Sequence, residues 1–138
     1  MKPVSESTSI QTAILLDTNI VSAHFKGEPA VTSKLEAAVT IYLPTIVLGE
    51  LHFGAHRSPT PSKNLQRIQR FLAAVTVMSV DAATAVLYGE VKADLTSTGN
   101  IIPDNDLWTA ALAKQHDLTV ISRDQHFGHV AGLKWVVW

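Results

Sequence analysis

The sequence lacks several features, and each absence removes a class of protein. None of its 138 residues is cysteine, which excludes disulfides, thiolate zinc sites and a cysteine nucleophile and fits a reducing compartment. No apolar run approaches the roughly 20 residues that span a bilayer. The polar first residues do not resemble a signal peptide either. We therefore expect a cytoplasmic protein with no membrane partner.

An excess of positive charge is also missing. The 11 lysine and arginine residues stand against 12 aspartate and glutamate residues, which gives a formal net charge of −1. The composition therefore carries no basic footprint of a nucleic-acid-binding protein, and a phosphate-bearing ligand would need bound cations or a local basic patch. A content of 46% hydrophobic and 17% charged residues instead fits one folded domain with a proper core.

Short β-branched runs alternate with longer helical patterns along the chain. The runs that have the length and apolar character of strands buried on both faces lie at 13–16, 41–43, 75–80, 119–122 and 135–137. Helical patterns lie near 20–26, 30–38, 45–55, 61–74, 81–96 and 104–116. The alternation predicts an α/β fold, a three-layer α/β/α sandwich with a mainly parallel central sheet of about five strands. We expect a flexible tail at 1–12 and a single domain at 13–138.

Four acidic residues lie at predicted strand ends or on adjacent helices: Asp17, Glu50, Asp106 and Asp124. Ligands of open parallel sheets bind in the crevice outside the carboxyl ends of the strands, where Asp17 and Asp124 fall. Each acid alone has an ordinary explanation, as a helix cap, an ion-pair partner of an arginine, a first-turn charge or a loop acid. Four carboxylates in one crevice would repel one another unless a cation neutralised them. The set therefore predicts a divalent-metal site.

The helix that carries Glu50 has a face, formed by Val47, Leu51 and Gly54, that we expect to be buried. Glu50 neighbours this face, so its carboxylate borders the core. A carboxylate in that position is costly unless something pairs with it.

Asp106 falls in the first turn of a predicted helix whose inner face is formed by Leu107, Ala110 and Ala111. The helix dipole favours an acid there by about 0.3–1 kcal/mol and helps to keep it ionised. Asp104, two residues earlier, is most simply the N-cap of this helix. It is also a candidate for a fifth, positioning carboxylate of the site.

Other candidate groups carry weaker signals. His52 and His56 have helical spacing but no evident third zinc ligand, and we interpret them as surface or partner-facing residues. We interpret His126 as a loop histidine packed by Phe127, although it could also touch a substrate. The basic residues of helix 61–74 fit a phosphate-tracking strip and a solvated face about equally well. They are Lys63, Arg67 and Arg70.

Four segments, in this order along the chain, resemble the motifs of PIN-domain nucleases, and closely those of the VapC toxins of bacterial toxin–antitoxin modules. The segments are 15–19, 48–55, 101–111 and 122–127, and they contain Asp17, Glu50, Asp106 and Asp124 respectively. The resemblance extends from about Ile14 to Trp138, and the ending at 130–135 is similar to the family's last loop and strand. It therefore covers nearly the whole chain.

The resemblance implies a PIN-like domain that cleaves RNA with Mg²⁺, or with Mn²⁺ in its place, leaving 5′-phosphate and 3′-hydroxyl ends. It also implies a homodimer, and a hetero-oligomer with a VapB-like antitoxin that silences the enzyme. The four acids match the family's acidic quartet, with Asp17 and Asp106 as the expected direct metal ligands. Substrate-positioning roles are implied for Thr18, Asn19 and Ser122.

Rival functions would leave different residues at the same positions. A phosphoryl-transfer enzyme would usually carry a second aspartate two residues after Asp17, where this chain has Asn19. A catalytically silent PIN module that only binds RNA or a partner would have lost acids, and all four are kept. A PIN nuclease that acts on DNA or structured RNA outside a toxin–antitoxin module stays open. The sequence favours a metal-dependent endoribonuclease toxin and leaves its target, antitoxin and metal count undetermined.

Overall fold

The computed structural model describes residues 13–138, and the tail predicted at 1–12 lies outside the described residues. The strands are β1 (Ile14–Leu16), β2 (Ile41–Pro44), β3 (Thr76–Met78), β4 (Thr119–Ile121) and β5 (Trp135–Val136). The helices are α1 (Thr18–Phe25), α2 (Pro29–Ala37), α3 (Thr45–Arg57), α4 (Pro61–Leu72), α5 (Ala82–Ser97) and α6 (Asp104–His116), with a 3-10 helix at Gln125–His129. None of these described helices is long and apolar enough to cross a membrane.

The described strands form one parallel sheet in the order β3-β2-β1-β4-β5. Side chains alternate across it, so each face has its own hydrophobic layer. On β1, Ile14 and Leu16 pack in the cluster that includes side chains of α1 to α4. Leu15, between them, packs in the second cluster with side chains of α5 and α6. This arrangement confirms the predicted three-layer α/β/α sandwich.

Strand β3 departs from the prediction that every strand is buried on both faces. Thr76 and Val77 are exposed, and the strand is shorter than the predicted run at 75–80. Thr76 and Val77 belong to neither hydrophobic cluster of the described residues, so no helix covers this edge strand at these two positions.

The buried face of α3 also differs from the prediction at one position. Val47 and Leu51 are buried as expected, together with Ala55, but Gly54 is exposed. The residues of this helix that face the core are Val47, Leu51 and Ala55. Gly54 lies beside them and lines an open groove.

Local sequence explains where the helices that carry the site begin. Asp17 is the N-cap of α1, and its Oδ1 accepts a hydrogen bond from Thr18 N at 2.8 Å. The predicted N-cap role of Asp104 is wrong by one position, because Pro103 is the N-cap of α6 and Asp104 is the first helical residue. The Asp104 carboxylate bonds side chains of α5 instead, and this leaves it unavailable as a cap.

Candidate active site

An open cavity of about 520 Å³ lies at the carboxyl ends of the central strands. Strands β1 and β4 are neighbours, so Asp17, directly after β1, and Asp124, shortly after β4, reach the same edge of the sheet. Helices α3 and α6 bring Glu50 and Asp106 to the same cavity. The four acids predicted from sequence therefore line one cavity, at the place where open parallel sheets bind ligands.

Asp17 and Asp106 are withdrawn from water. They are 5% and 7% exposed, and they are the only buried ionisable residues in the described part of the chain. Burial raises the pKa of Asp17, with the charges of Glu50 and Asp124 acting in the same direction and the Ser122 hydrogen bond opposing them. Burial also raises the pKa of Asp106 to about 7, and the Asp17 and Asp124 carboxylates contribute to this rise. Both carboxylates are therefore ionised at a cost.

No lysine or arginine within residues 13–138 forms an ion pair with any of the four acids. Glu50 has no arginine partner and instead accepts hydrogen bonds from Thr18 Oγ1 at 2.9 Å and from Asn105 Nδ2 at 2.9 Å. Asp124 has His126 as its neighbour, with Nε2 at 3.0 Å from Oδ1. The four acids thus have no lysine or arginine ion-pair partner in residues 13–138, although Lys26 and Arg123 also line the cavity.

A buried hydroxyl holds the first and last acids in register. Ser122 is fully buried, and its Oγ donates to Asp17 Oδ2 at 2.6 Å. The same oxygen accepts from Asp124 N at 3.0 Å and from Asn19 Nδ2 at 3.2 Å. The amide oxygen of Asn19 in turn accepts from Arg123 N at 3.1 Å. These bonds use the one donor and both acceptor sites of the hydroxyl, so the loops after β1 and β4 are fixed to each other.

The donor set fits a hard divalent cation. One ligand atom each from Asp106, Asp124 and His126 lie within 4.8 Å of one another. Asp17 and Glu50 line the same cavity. Mg²⁺ prefers oxygen ligands, keeps several waters and is usually held by one or two carboxylates, and Mn²⁺ has similar preferences. Because an imidazole nitrogen suits these ions less well, His126 is better suited to orienting the Asp124 carboxylate than to binding the ion itself.

Asp104, unlike the four acids, does not line the cavity. Its Oδ1 accepts from the Tyr88 hydroxyl at 2.7 Å and from Lys92 Nζ at 3.3 Å, both on α5. His52 and His56 are also outside the cavity, and neither belongs to the ligand group found in the described residues.

Two contacts of the acids were not predicted from the sequence. Asn105 donates from its side chain to Glu50, and its own amide oxygen accepts from Asp106 N at 3.1 Å. The available signal was its position between two acids in the first turn of a helix. His126, interpreted from the sequence as a loop histidine packed by Phe127 that could also touch a substrate, contacts Asp124. A spacing of two residues was too weak a signal to predict that contact.

Comparison with known proteins gives consistent matches. The sequence pattern of the PIN domain matches residues 14–133. Over 127 residues the chain is 32% identical to Ribonuclease VapC2 of Haemophilus influenzae, covering 90% of this chain and 96% of that protein. It is 30% identical, with the same coverage, to the tRNA(fMet)-specific endonuclease VapC of Shigella flexneri. The structure of VapBC2 from Rickettsia felis bound to a promoter DNA fragment aligns with a TM-score of 0.87 and 29% identity, covering 92% of this chain and 99% of that chain.

Proposed function

This chain belongs to the PIN-domain family, and from that premise we propose that it is a metal-dependent endoribonuclease that hydrolyses phosphodiester bonds in RNA. The observation that carries the proposal is the meeting of Asp17, Glu50, Asp106 and Asp124 in one open cavity without a lysine or arginine partner among the described residues. The ribonuclease and endonuclease names of similar proteins support RNA as the substrate.

Mg²⁺, or Mn²⁺ in its place, would polarise the phosphate of the RNA and activate a water for in-line attack. We assign Asp17 and Asp106 as the direct ligands because they are the buried carboxylates and their charge most needs a cation. Glu50 and Asp124 are less buried and orient the water from the rim of the cavity. Thr18, through its bond to Glu50, fixes the direction of that carboxylate.

The hydrolysis needs no nucleophilic side chain. The water oxygen forms the new bond to phosphorus, and the bond from phosphorus to the 3′ oxygen breaks. The departing 3′ oxygen takes a proton from solvent, so the products carry a 5′-phosphate and a 3′-hydroxyl. The water proton passes to a rim carboxylate, for which Asp124 is suited because His126 lies 3.0 Å from it and connects it to solvent. Asn19 and Ser122 keep Asp17 and Asp124 at fixed positions during this transfer.

The same relatives support a biological role as the toxin of a toxin–antitoxin pair. The Rickettsia felis structure is of VapBC2, and the alignment with this protein covers 99% of the matched chain in that structure. The proposed partners of this chain are accordingly an RNA substrate, a VapB-like antitoxin and a second copy of itself in a homodimer. A candidate antitoxin would be identified if its co-expression relieved the growth inhibition that this protein causes.

The proposed activity is tested by cleavage of labelled single-stranded RNA by the purified protein. We expect cutting with Mg²⁺ or Mn²⁺. Cutting should stop when a chelator is added and should return when the metal is added back. Mapping of the products should find 5′-phosphate ends. A well-folded protein that binds Mn²⁺ in calorimetry and cuts no RNA would contradict the proposal, and so would cutting that survives the chelator.

A further inference from the structure

The Asp106 carboxylate is buried and has no partner among the described residues. It is 7% exposed and lines the acidic cavity. The hydrogen bond in which Asp106 takes part is donated by its backbone N–H to Asn105 Oδ1. Within residues 13–138 the carboxylate itself therefore has no hydrogen-bond or ion-pair partner. A carboxylate withdrawn from water in this way is costly unless a cation binds it, and its oxygens are free to take an ion from the cavity.

The groups that reach Asp106 are Asp124 and the imidazole of His126. One ligand atom of each side chain lies within 4.8 Å of the other two, and no other set of three histidine or acidic side chains in residues 13–138 is as close. Donors bound to one tetrahedral ion at about 2.0–2.2 Å lie about 3.4 Å apart. His126 Nε2 is 3.0 Å from Asp124 Oδ1, and both side chains are partly exposed. Small rotations of these two side chains therefore suffice to place all three atoms around one ion.

The imidazole changes which ion this group of ligands prefers. Mg²⁺ takes oxygen ligands, whereas Zn²⁺ binds both imidazole nitrogen and carboxylate oxygen, often with three protein ligands and a water in the fourth position. A site of nitrogen and oxygen ligands also binds Zn²⁺ more tightly than Mn²⁺. One imidazole and two carboxylates are therefore a better ligand set for Zn²⁺ than for the ion that we propose for catalysis.

We propose that Asp106, Asp124 and His126 form a binding site for Zn²⁺, and that Zn²⁺ bound there inhibits the ribonuclease. The inhibition follows from shared ligands. Zn²⁺ takes the Asp106 carboxylate, which we assign to the catalytic ion, and the Asp124 carboxylate, which we assign as the acceptor of the water proton. The inference rests on the proposed function and adds a means of regulating the same site.

A purely orienting role for His126 accounts for less of the geometry. Such a role explains the contact of Nε2 with Asp124, but it leaves the unpartnered Asp106 carboxylate beside this pair without an explanation. A Zn²⁺ site uses all three groups. His52 and His56, the other histidine pair with helical spacing, belong to no group of three ligands in the described part of the chain.

Calorimetry with Zn²⁺ tests the site directly. His126→Gln removes the nitrogen ligand, and His129→Gln is the matched control, because His129 is exposed on the same 3-10 helix and lies outside the ligand group. His126→Gln is expected to bind Zn²⁺ about a hundredfold more weakly than the wild type and His129→Gln do. Its Mn²⁺ affinity should change by less than about threefold, since we assign that ion to Asp17 and Asp106, and this result also shows that the variant is folded. Equal Zn²⁺ affinities of the two histidine variants would overturn the inference.

Inhibition is measured by adding Zn²⁺ to the cleavage of labelled single-stranded RNA with Mg²⁺, each protein being compared with its own rate without Zn²⁺. In the wild type and His129→Gln, Zn²⁺ at about a hundredth of the Mg²⁺ concentration should halve the rate. His126→Gln should need about a hundredfold more Zn²⁺. Zn²⁺ that binds through His126 without slowing cleavage would overturn the inhibitory role. If the wild type cuts no RNA with Mg²⁺, the proposed function fails, and the calorimetry still decides whether His126 binds Zn²⁺.

Discussion

At the scale of single residues, the site combines buried carboxylates with one buried hydroxyl that fixes them. Asp17, Asp124 and Asn19 all bond to Ser122 Oγ, so this oxygen joins the loop after β1 to the loop after β4. Its hydrogen bond also lowers the pKa of Asp17 against the effect of burial. A single hydroxyl therefore controls both the position and the charge of an expected metal ligand.

Replacement of that hydroxyl gives the first prediction. Ser122→Ala should lower metal affinity and cleavage about tenfold to a hundredfold, as is typical when a group that orients a ligand is lost. Loss of the Ser122 hydrogen bond should raise the pKa of Asp17 further, and the pH–rate profile should therefore shift to higher pH. Ser33→Ala, an exposed change on α2, is the control. Equal Mn²⁺ affinity and equal rates in the two variants would contradict the role given to Ser122.

The pKa of Asp106 gives a prediction for stability against pH. In the folded, metal-free protein this pKa is raised from 3.8 to about 7, so the folded state binds the proton more tightly than the unfolded state. The protonated carboxyl is therefore compatible with folding, and stability is lost as pH rises from about 4 through about 7. The melting temperature in chelator should fall between pH 6 and pH 8 in the wild type.

Asp106→Asn removes this titration and serves as the comparison. Its melting temperature in chelator should exceed that of the wild type by a few degrees at pH 8, and the difference should shrink as pH falls and close only below about pH 4. If the metal-free stability of the wild type changed with pH by the same amount as that of Asp106→Asn, burial and charge repulsion at Asp106 would not affect stability.

At the scale of elements, each helix follows from patterns that are local in the sequence. The capping box of Asp81 and Thr84 begins α5, and Gly99, at a φ of 77°, follows its end. These signals need only neighbouring residues, which is why the helices are predictable. The exposure of β3 and of Gly54 could not be predicted in this way, because it depends on which other elements lie beside them.

The helical glycines give a prediction about element stability. Gly54→Ala and Gly89→Ala should each raise the free energy of unfolding by about 0.5–1 kcal/mol, because both positions are helical and a Cβ meets nothing there. Gly99→Ala should lower it, since φ at this position is 77°. Urea unfolding measures all three. Destabilisation by Gly54→Ala would contradict this prediction and would mean that the glycine has a structural role.

At the scale of the whole molecule, the order of the sheet is what makes the site. Asp17 and Asp124 are far apart in sequence, and the pairing of β1 with β4 brings them together. The acids themselves could be predicted from their residue types, their strand-end positions and the family resemblance. The contacts of Asn105 and His126 could not, because they depend on how separate segments pack and leave no periodic trace.

A bound ion should stabilise the whole fold. Mass action gives about 2.7 kcal/mol of stabilisation at a metal concentration one hundred times the dissociation constant, if the unfolded chain does not bind. Mn²⁺ should therefore raise the melting temperature of the wild type, and Asp106→Asn should lose most of this rise. Asp104→Asn should keep it, because the Asp104 carboxylate bonds Tyr88 and Lys92 outside the cavity. Equal responses of the two variants would contradict the assignment of ligands.

The most direct measurement is single-turnover cleavage of single-stranded RNA with Mg²⁺ by the wild type, Asp17→Asn, Asp106→Asn and the exposed control Asp94→Asn. The account predicts that the first two variants lose cleavage by a factor of about a thousand or more, on the scale of losing a group that stabilises the transition state, while the control keeps it. Cleavage that persisted in both cavity variants at the rate of Asp94→Asn would show that the acidic cavity is not where RNA is cut.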